Sequence, residues 1–219
     1  MALMRSRNEI PKGAVVLNEE EAVNYSWKVV TEWESLWDTW ALRYGPPILG
    51  GINAISGIII NNHYRTKLKL GSFGFYSSVI PVTVMPGLMT ILFHRHLVTT
   101  NMLMLKTDTC PICYEIRSAA IQLGLGVGYP MLLAPTSAIM YANRFATYRI
   151  PYLTDGPKKV FQLLSKITKP LSGTLAIITV VQLVASSVVS YFEMKNNFTV
   201  RTKLMEIENK ILAETEESM

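Results

Sequence analysis

An all-α membrane protein with four transmembrane helices, preceded by an amphipathic Trp-rich helix, is the fold class that this sequence predicts. The 219-residue chain contains 17% charged residues, whereas soluble domains contain about 25%. The charges are unevenly distributed, because four windows contain no Asp, Glu, Lys or Arg: 44–64, 70–94, 118–143 and 170–192. Each window exceeds the roughly 20 mostly apolar residues that an α-helix needs to cross a bilayer. A soluble globular enzyme is therefore disfavoured, and a disordered or fibrous chain is excluded.

The polar N-terminal region divides into a flexible segment, 1–18, and an amphipathic helical segment, 19–43. Apolar residues recur in the second segment at spacings of three or four, as on one face of a helix. That segment contains every tryptophan of the chain: Trp27, Trp33, Trp37 and Trp40. Trp prefers the membrane interface, which indicates an interfacial anchor, and it also dominates protein interfaces, which indicates a partner-docking face. The two interpretations are compatible.

The four charge-free windows are predicted to form a transmembrane bundle, 44–192, which is followed by a polar tail, 193–219. Three of the windows contain a pair of prolines: Pro46, Pro47, Pro81, Pro86, Pro130 and Pro135. An interior proline kinks a helix, but in a bilayer the neighbouring helices can satisfy the carbonyl group that it leaves free. The prolines therefore do not argue against transmembrane helices.

A small channel or carrier remains an alternative, because the Pro-x4-Pro spacing is repeated in the second and third windows. Transporters use paired broken helices of this kind. Pumps and ion-coupled carriers usually need an ionisable residue at mid-depth in a span, and the four windows place none there. This pattern favours a protein that binds other proteins over a carrier or an enzyme.

Lys and Arg are concentrated in the first and third loops between the predicted spans. Residues 64–70 contain three basic and no acidic side chains, and residues 144–169 contain six basic side chains and one acidic one. By the positive-inside rule these two loops face the compartment from which the protein inserts. Both termini and the cysteine-containing loop then face the other compartment. The net charge of +5 comes from one membrane face, so no nucleic-acid partner is predicted.

The third loop ends in a short basic segment, 158–169, that has the spacing of an amphipathic helix. Its apolar residues lie on one side and four lysines lie elsewhere: Lys158, Lys159, Lys166 and Lys169. A lysine near a membrane surface is attracted to anionic lipid by about 1 kcal/mol. We therefore expect the loop 144–169 to bind anionic lipid.

Two windows contain small or amide side chains spaced four residues apart, which predicts helix-packing faces. They are Asn53, Gly57 and Asn61 in the first window, and Ala120, Gly124 and Gly128 in the third. Small residues let helix backbones approach, and Asn can donate across a helix interface. The glycines lie within an apolar span, so a phosphate-binding loop is disfavoured. A charged residue at position 124 is expected to disrupt the bundle.

Cys110 and Cys113 are the only cysteines, and their C-x-x-C spacing leaves several interpretations open. They can form a local disulfide, a redox-active dithiol or half of a metal site. Zinc would need two further ligands, and only His94 and His96 lie on the same predicted side. We expect no metal, no cofactor, no small-molecule substrate and no catalytic residue, although a membrane thiol-redox protein remains an alternative function.

A set of short motifs lies in a fixed order along the middle of the chain. It includes Cys110-x-x-Cys113 and Leu133-Ala134, together with Gly57, Asn61, Tyr64, Arg65, Arg117, Ser118, Tyr129, Pro130, Arg144 and Phe145. With these family-motif residues, residues 48–192 resemble the transmembrane protein 126 family of the mitochondrial inner membrane. The C-x-x-C pair is closer to the A paralogue than to the B paralogue. The Trp-rich segment and the acidic tail lie outside the resemblance.

This resemblance implies a non-enzymatic, chaperone-like assembly factor for the membrane arm of respiratory complex I, the NADH:ubiquinone oxidoreductase. The implied partners are complex I membrane-arm subunits and other assembly factors. The implied location is the mitochondrial inner membrane. The first and third loops would then face the matrix, and the termini and the cysteine pair would face the intermembrane space.

Overall fold

The computed structural model describes residues 17–104, 110–148 and 157–217, and every regular element in these ranges is a helix. The prediction of an all-α protein is therefore confirmed for the described residues. The predicted flexible segment 1–18 lies almost wholly outside them. We number the helices α1 Glu19–Glu32, α2 Leu36–Lys67, α3 Phe75–Leu103, α4 Pro111–Arg144, α5 Pro157–Thr168 and α6 Ser172–Glu217.

The segment predicted as one helix, 19–43, is divided in the structure. Asn18 caps α1 in a capping box with Glu21, since each side chain accepts from the other residue's backbone N–H. The helix ends at Glu32, where Trp33 adopts an extended conformation. A new helix starts at Leu36 and continues into the first predicted span. The expectation of one continuous interfacial helix is corrected accordingly: only α1 is a separate element.

Three stretches of helix are long and apolar enough to cross a membrane: Phe75–Leu103, Pro111–Arg144 and Val160–Ile211. The first stretch covers the second predicted span from residue 75 onward, the other two contain the third and fourth predicted spans, and all three extend past the predicted C-terminal ends. The last stretch is the longest, because α6 continues as one helix through most of the predicted polar tail. The first predicted span lies in α2, which is 32 residues long but is not among the three apolar stretches.

The prolines of the second and third windows do not interrupt α3 or α4. Two of the π-helical turns in these helices close just before a proline: Met85 N–H donates to Ile80 O ahead of Pro86, and Tyr129 N–H donates to Gly124 O ahead of Pro130. A proline has no N–H, and a wider turn is one way to accommodate it. Because α3 and α4 are both continuous, neither is a broken helix of the kind that motivated the carrier alternative.

The second helix lies at the centre of the bundle and packs against α3, α4 and α6. One side of α2 contributes buried apolar residues to the main core, including Ile60 and Tyr64. The opposite side exposes Ile55, Ile58 and Ile59. An exposed row of isoleucines opposite a packed face is the polarity that a lipid-facing helix requires, since lipid-exposed side chains must be apolar.

Two glycines bring α2 and α3 close together. A Cβ atom on Gly50 would lie 2.6 Å from Ile91 Cγ1 and 2.7 Å from the carbonyl oxygen of Gly87, and one on Gly57 would lie 2.7 Å from the carbonyl oxygen of Val82. Real Cβ atoms do not approach backbone so closely, so these positions require glycine. The helices α2 and α3 thus approach closely because glycine has no side chain at these positions.

Adjacent glycines of α2 offer a matched test of this crossing. Gly50→Ala should lower the free energy of unfolding by about 1–3 kcal/mol, because the added methyl group overlaps the backbone of α3. Gly51→Ala should change it little, since nothing lies within 4 Å of a Cβ at that position. Thermal unfolding of the two variants in detergent, followed by circular dichroism, measures the difference. Equal melting temperatures would show that the helices do not cross here.

Candidate functional site

A network of buried side-chain hydrogen bonds joins the four longest helices at the middle of the bundle. Asn53 Nδ2 donates to Thr90 Oγ1 at 2.6 Å and to Gln122 Oε1 at 3.4 Å. Gln122 Nε2 donates to Gln182 Oε1 at 2.5 Å, and Gln182 Nε2 donates to Ser56 Oγ at 2.8 Å. All five side chains are buried. We call this set the amide network; it connects α2, α3, α4 and α6.

Gly126 completes the amide network from α4. A Cβ atom at this position would overlap Asn53 Oδ1 and would lie 2.7 Å from Gln182 Nε2. Asn53 Oδ1 is buried and accepts no hydrogen bond, and the missing side chain of Gly126 leaves the room that this oxygen occupies. Interhelical hydrogen bonds in membranes contribute about 0.6 kcal/mol each, but an unpaired amide in hydrocarbon costs several. The network therefore fixes helix rotation more than it adds stability.

A second buried cluster contains ionisable groups, one on α3 and one on α6. His94 Nε2 lies 3.0 Å from Glu193 Oε2, and both side chains are fully buried. Thr99 Oγ1 donates to the other carboxylate oxygen at 3.1 Å, and Ser118 Oγ lies 3.4 Å from His94 Nδ1. A Cβ on Gly45 would lie 3.0 Å from Glu193 Oε1, so α2 closes the cluster from the remaining side.

Each ring nitrogen of His94 has a hydrogen-bonding partner in this cluster: Nε2 faces the Glu193 carboxylate and Nδ1 faces the hydroxyl group of Ser118. Both oxygens of the Glu193 carboxylate also have a partner, one in His94 and the other in Thr99. Removing one partner from a buried pair leaves the other uncompensated, at a cost of about 3–5 kcal/mol. The cluster holds α6 against α3 at a defined register.

Beyond this cluster, α1 and the C-terminal half of α6 close one end of the bundle. We call it the cysteine end. Trp27 Nε1 donates to Thr100 Oγ1 at 3.2 Å, and the Arg95 guanidinium lies 4.2 Å from the Trp27 ring centroid. Arg201 donates to the carbonyl oxygen of Leu103 at 2.6 Å. These contacts attach α1 and α6 to the end of α3.

The other tryptophans have three different environments. Trp33 Nε1 donates to Asp38 Oδ2 at 3.3 Å, and Trp40 contacts the Phe192 ring at a centroid distance of 5.2 Å. Trp37 is 86% exposed. Lys203 Nζ also donates to Asp38, at 2.5 Å, and this bond is the main reason that the pKa of Asp38 lies below its usual range. The Trp-rich segment therefore does not present one continuous aromatic face.

At the opposite end, which we call the basic end, Arg65 organises the connection between α2 and α3. Its guanidinium group donates to the carbonyl oxygens of Gly71, Phe73 and Gly74 at 2.7, 2.9 and 3.3 Å, and to Ser78 Oγ at 2.7 Å. Gly71 and Gly74 both have positive φ, which glycine adopts without strain. The buried Arg65 side chain thus donates to three carbonyl groups of a largely exposed turn and fixes its conformation.

The family-motif residues occupy structural positions at both ends. Tyr64 OH lies 2.8 Å from Thr168 Oγ1 and is buried, and the Phe145 ring stacks on Phe73 at a centroid distance of 4.9 Å. Arg144 lies over the Phe145 ring, 5.9 Å from its centroid.

On α4 the motif residues alternate between inside and outside. Ser118 and Pro130 are buried, Tyr129 is half-buried and Arg117 is exposed. Their placement is that of residues that hold helices together.

The two predicted helix-packing faces have opposite positions. Asn53, Gly57 and Asn61 are buried, as a packing face requires. Ala120, Gly124 and Gly128 are exposed, and nothing lies within 4 Å of a Cβ on Gly124. The prediction that they pack within the bundle is corrected. A residue two positions from Gln122 points about 200° away, so burying that amide turns Ala120 and Gly124 outward.

The cysteines lie at the start of α4, at the cysteine end. Cys110 is the N-cap residue, Cys113 N–H donates to its carbonyl oxygen at 2.9 Å, and both thiols are free and exposed. His94 lies instead in the buried cluster with Glu193. Among the described residues, no group of three or more His, Cys, Asp or Glu side chains is arranged to hold a metal ion.

This fold and its internal polar clusters define a helical membrane protein. The sequence model of the family described as "Transmembrane protein 126" matches residues 25–210. The chain is 40% identical to "Transmembrane protein 126" of Drosophila melanogaster over 212 residues, which cover 96% of this chain and 95% of the relative. It is 29% identical to "Transmembrane protein 126A" of Mus musculus, over 67% of this chain and 71% of that one. The chain belongs to the transmembrane protein 126 family. No solved structure matches it.

Sequence reasoning missed the residues that form the centre of the site. Gln122 and Gln182 are isolated amides in otherwise apolar windows, and such residues face the bundle interior almost always. That signal was available and would have oriented α4 correctly. His94 and Glu193 each lie at a window edge, so only the packing of α3 against α6 shows that they pair.

Truncation of the buried carboxylate tests the ionisable cluster. Glu193→Ala should lower the free energy of unfolding by about 3 kcal/mol, because it leaves His94 and Thr99 without their buried acceptor. Glu206→Ala, on the exposed part of the same helix, is the matched control and should have little effect. Tryptophan fluorescence during thermal unfolding is a suitable signal, since all four Trp residues lie near the cysteine end, towards which this cluster lies. Equal melting temperatures for the two variants would refute the cluster.

Proposed function

We propose that this protein is a non-enzymatic assembly factor for the membrane arm of respiratory complex I, located in the mitochondrial inner membrane. Family membership supports the proposal, because the resemblance of residues 48–192 implies that role. Its task is to bind newly inserted membrane-arm subunits, together with other assembly factors, until these subunits join. A protein with this task needs a rigid bundle and an outer surface that other transmembrane helices can contact.

The observation that carries the proposal is the division between inside and outside. The amide network and the His94–Glu193 cluster place the polar side chains of the bundle against one another. The outer face of α4 instead presents Ala120, Gly124 and Gly128 in the open. Small residues at four-residue spacing let a second helix approach closely, so this face suits a partner helix in the membrane.

We further propose that α2 is a fourth transmembrane helix. Its hydropathy is lowered by Asn53, Ser56 and Asn61, and all three are buried against other helices. Its exposed side consists largely of isoleucine, as described above. Gly45, beside Glu193, and Arg65 lie 20 residues apart on α2, or about 30 Å along the helix. That distance equals the hydrocarbon thickness of a bilayer.

The proposed topology follows from the distribution of charge. The basic end contains Lys67, Lys69 and Arg144, and the positive-inside rule places such loops on the side of insertion. In the proposed location that side is the matrix. The described parts of both termini and the cysteine pair share the cysteine end, which would face the intermembrane space.

Native gels of mitochondrial membranes test this function. The tagged protein should co-migrate with partial complex I intermediates, and its removal should reduce mature complex I. Re-expression of the wild-type chain should restore the complex. Normal complex I after complete removal of the protein, with no compensating relative expressed, would contradict the proposal.

Two glycines with open space around them allow a docking face on α4 to be distinguished from a lipid-facing surface on α2. Gly124→Leu should fold normally but lose co-migration, because the larger side chain keeps a partner helix away from α4. Gly51→Leu, on the outer side of α2 with equally open space, should retain co-migration. If both variants rescue complex I, then the α4 face does not bind a partner. The thiol-redox alternative is decided in the same cells, since it requires that Cys113→Ser fail to rescue.

A further inference from the structure

Six cationic side chains are exposed at the basic end of the bundle. They lie at or just after the C-terminal ends of α2 and α4, and along α5 and the turn that follows it: Lys67, Lys69, Arg144, Lys158, Lys166 and Lys169. The described residues of this end, in the ranges 61–80, 141–148 and 157–175, contain no Asp or Glu. Positive charge is therefore collected on one face without local neutralisation by the described side chains.

Exposed aromatic side chains accompany these cations. Phe73, Phe75, Tyr76 and Phe145 are exposed around the turn between α2 and α3, and Phe161 of α5 is 73% exposed. Large apolar rings next to ammonium groups are typical of a helix that lies in the interfacial plane of a membrane, with its rings in the acyl boundary and its charges at the headgroups.

The position of α5 is fixed at its C-terminal end. His63 Nε2 lies 3.0 Å from the carbonyl oxygen of Ile167, and Tyr64 OH lies 2.8 Å from Thr168 Oγ1. Ile167 is buried in the main core. A short 3₁₀ turn, Lys169–Leu171, then connects α5 directly to α6, and the stretch able to cross a membrane, Val160–Ile211, begins in α5 and continues through α6. The lysines of α5 are thus held where such a helix begins.

We propose that this face is a binding site for anionic phospholipid, in which α5 supplies the principal headgroup contacts and Phe161 inserts beside the acyl chains. The charge of the face selects an anion, and its continuity with the apolar surface of the bundle selects a lipid over a soluble anion. Among its described residues the cysteine end presents no comparable face, because the exposed lysines there are interspersed with Glu and Asp. The inference depends on the membrane placement of the bundle and not on the proposed role in assembly.

The decisive comparison uses the full chain with three lysines neutralised, two in α5 and one in the turn that follows it; we call it the α5 variant. The variant is Lys158→Gln, Lys166→Gln and Lys169→Gln together, and the control is Lys28→Gln, Lys195→Gln and Lys210→Gln, three exposed lysines of the cysteine end. Native mass spectrometry of the detergent-purified proteins measures bound phosphatidylglycerol and phosphatidylcholine. Circular dichroism confirms that both variants are folded.

Wild-type protein should prefer phosphatidylglycerol to phosphatidylcholine, and the α5 variant should bind phosphatidylglycerol on the order of 100-fold more weakly, since each lysine near the headgroups contributes about fivefold. The control variant should retain the wild-type affinity. Equal losses in both variants, or no preference for the anionic lipid in the wild type, would overturn the proposal.

Two further measurements separate a lipid site from a soluble-anion site. Glycerol 3-phosphate, which carries the charge without acyl chains, should not displace phosphatidylglycerol. Phe161→Ser should weaken the binding of both lipids while leaving the ratio of their affinities unchanged, because the ring contacts chains and not headgroups. Displacement by glycerol 3-phosphate at concentrations equal to those of the lipid would show that the face binds soluble phosphates instead.

Discussion

The pairing of polar groups inside an apolar environment is the constraint on which this fold depends. A side-chain amide that faces hydrocarbon costs several kcal/mol, so Asn53, Gln122 and Gln182 must face one another. Meeting this condition sets the rotation of α2, α4 and α6 about their axes. It also decides which residues remain outside: isoleucines on α2, and alanine and glycine on α4. The interior and the outer surface therefore have one common cause.

The polar groups form layers along the bundle. The amide network lies in the middle, the His94–Glu193 cluster lies towards the cysteine end, and Arg65 closes the turn at the basic end. Close helix approach at Gly50 and Gly126 makes the central layer possible, because any larger side chain would displace a backbone or an amide. Most of the polar side chains in these layers are paired with one another, which suits a protein whose contacts with partners and lipid are made by its outer surfaces.

Much of this architecture is predictable from the sequence, since three of the four charge-free windows coincide with helices that are long and apolar enough to cross a membrane. The division of 19–43 into two helices is not, because Trp33 and the residues after it carry no strong helix-breaking signal. The prediction that the Ala120–Gly124–Gly128 face packs within the bundle was wrong for a different reason: residue spacing defines a helix face but not the direction in which that face points. Gln122 supplies that direction. The pairing of His94 with Glu193 depends on tertiary packing between residues 99 positions apart, which no local pattern encodes.

The passage of α2 across the membrane, polar side inward, is the central claim, and cysteine labelling tests it most directly. In a chain carrying Cys110→Ser and Cys113→Ser, a single cysteine is introduced before α2, as Lys28→Cys, or at its end, as Lys67→Cys. Sealed vesicles of one orientation are treated with a membrane-impermeant maleimide before and after permeabilisation. The account predicts that the two positions react from opposite sides. Reaction of both from the same side would contradict it, because α2 would then not cross.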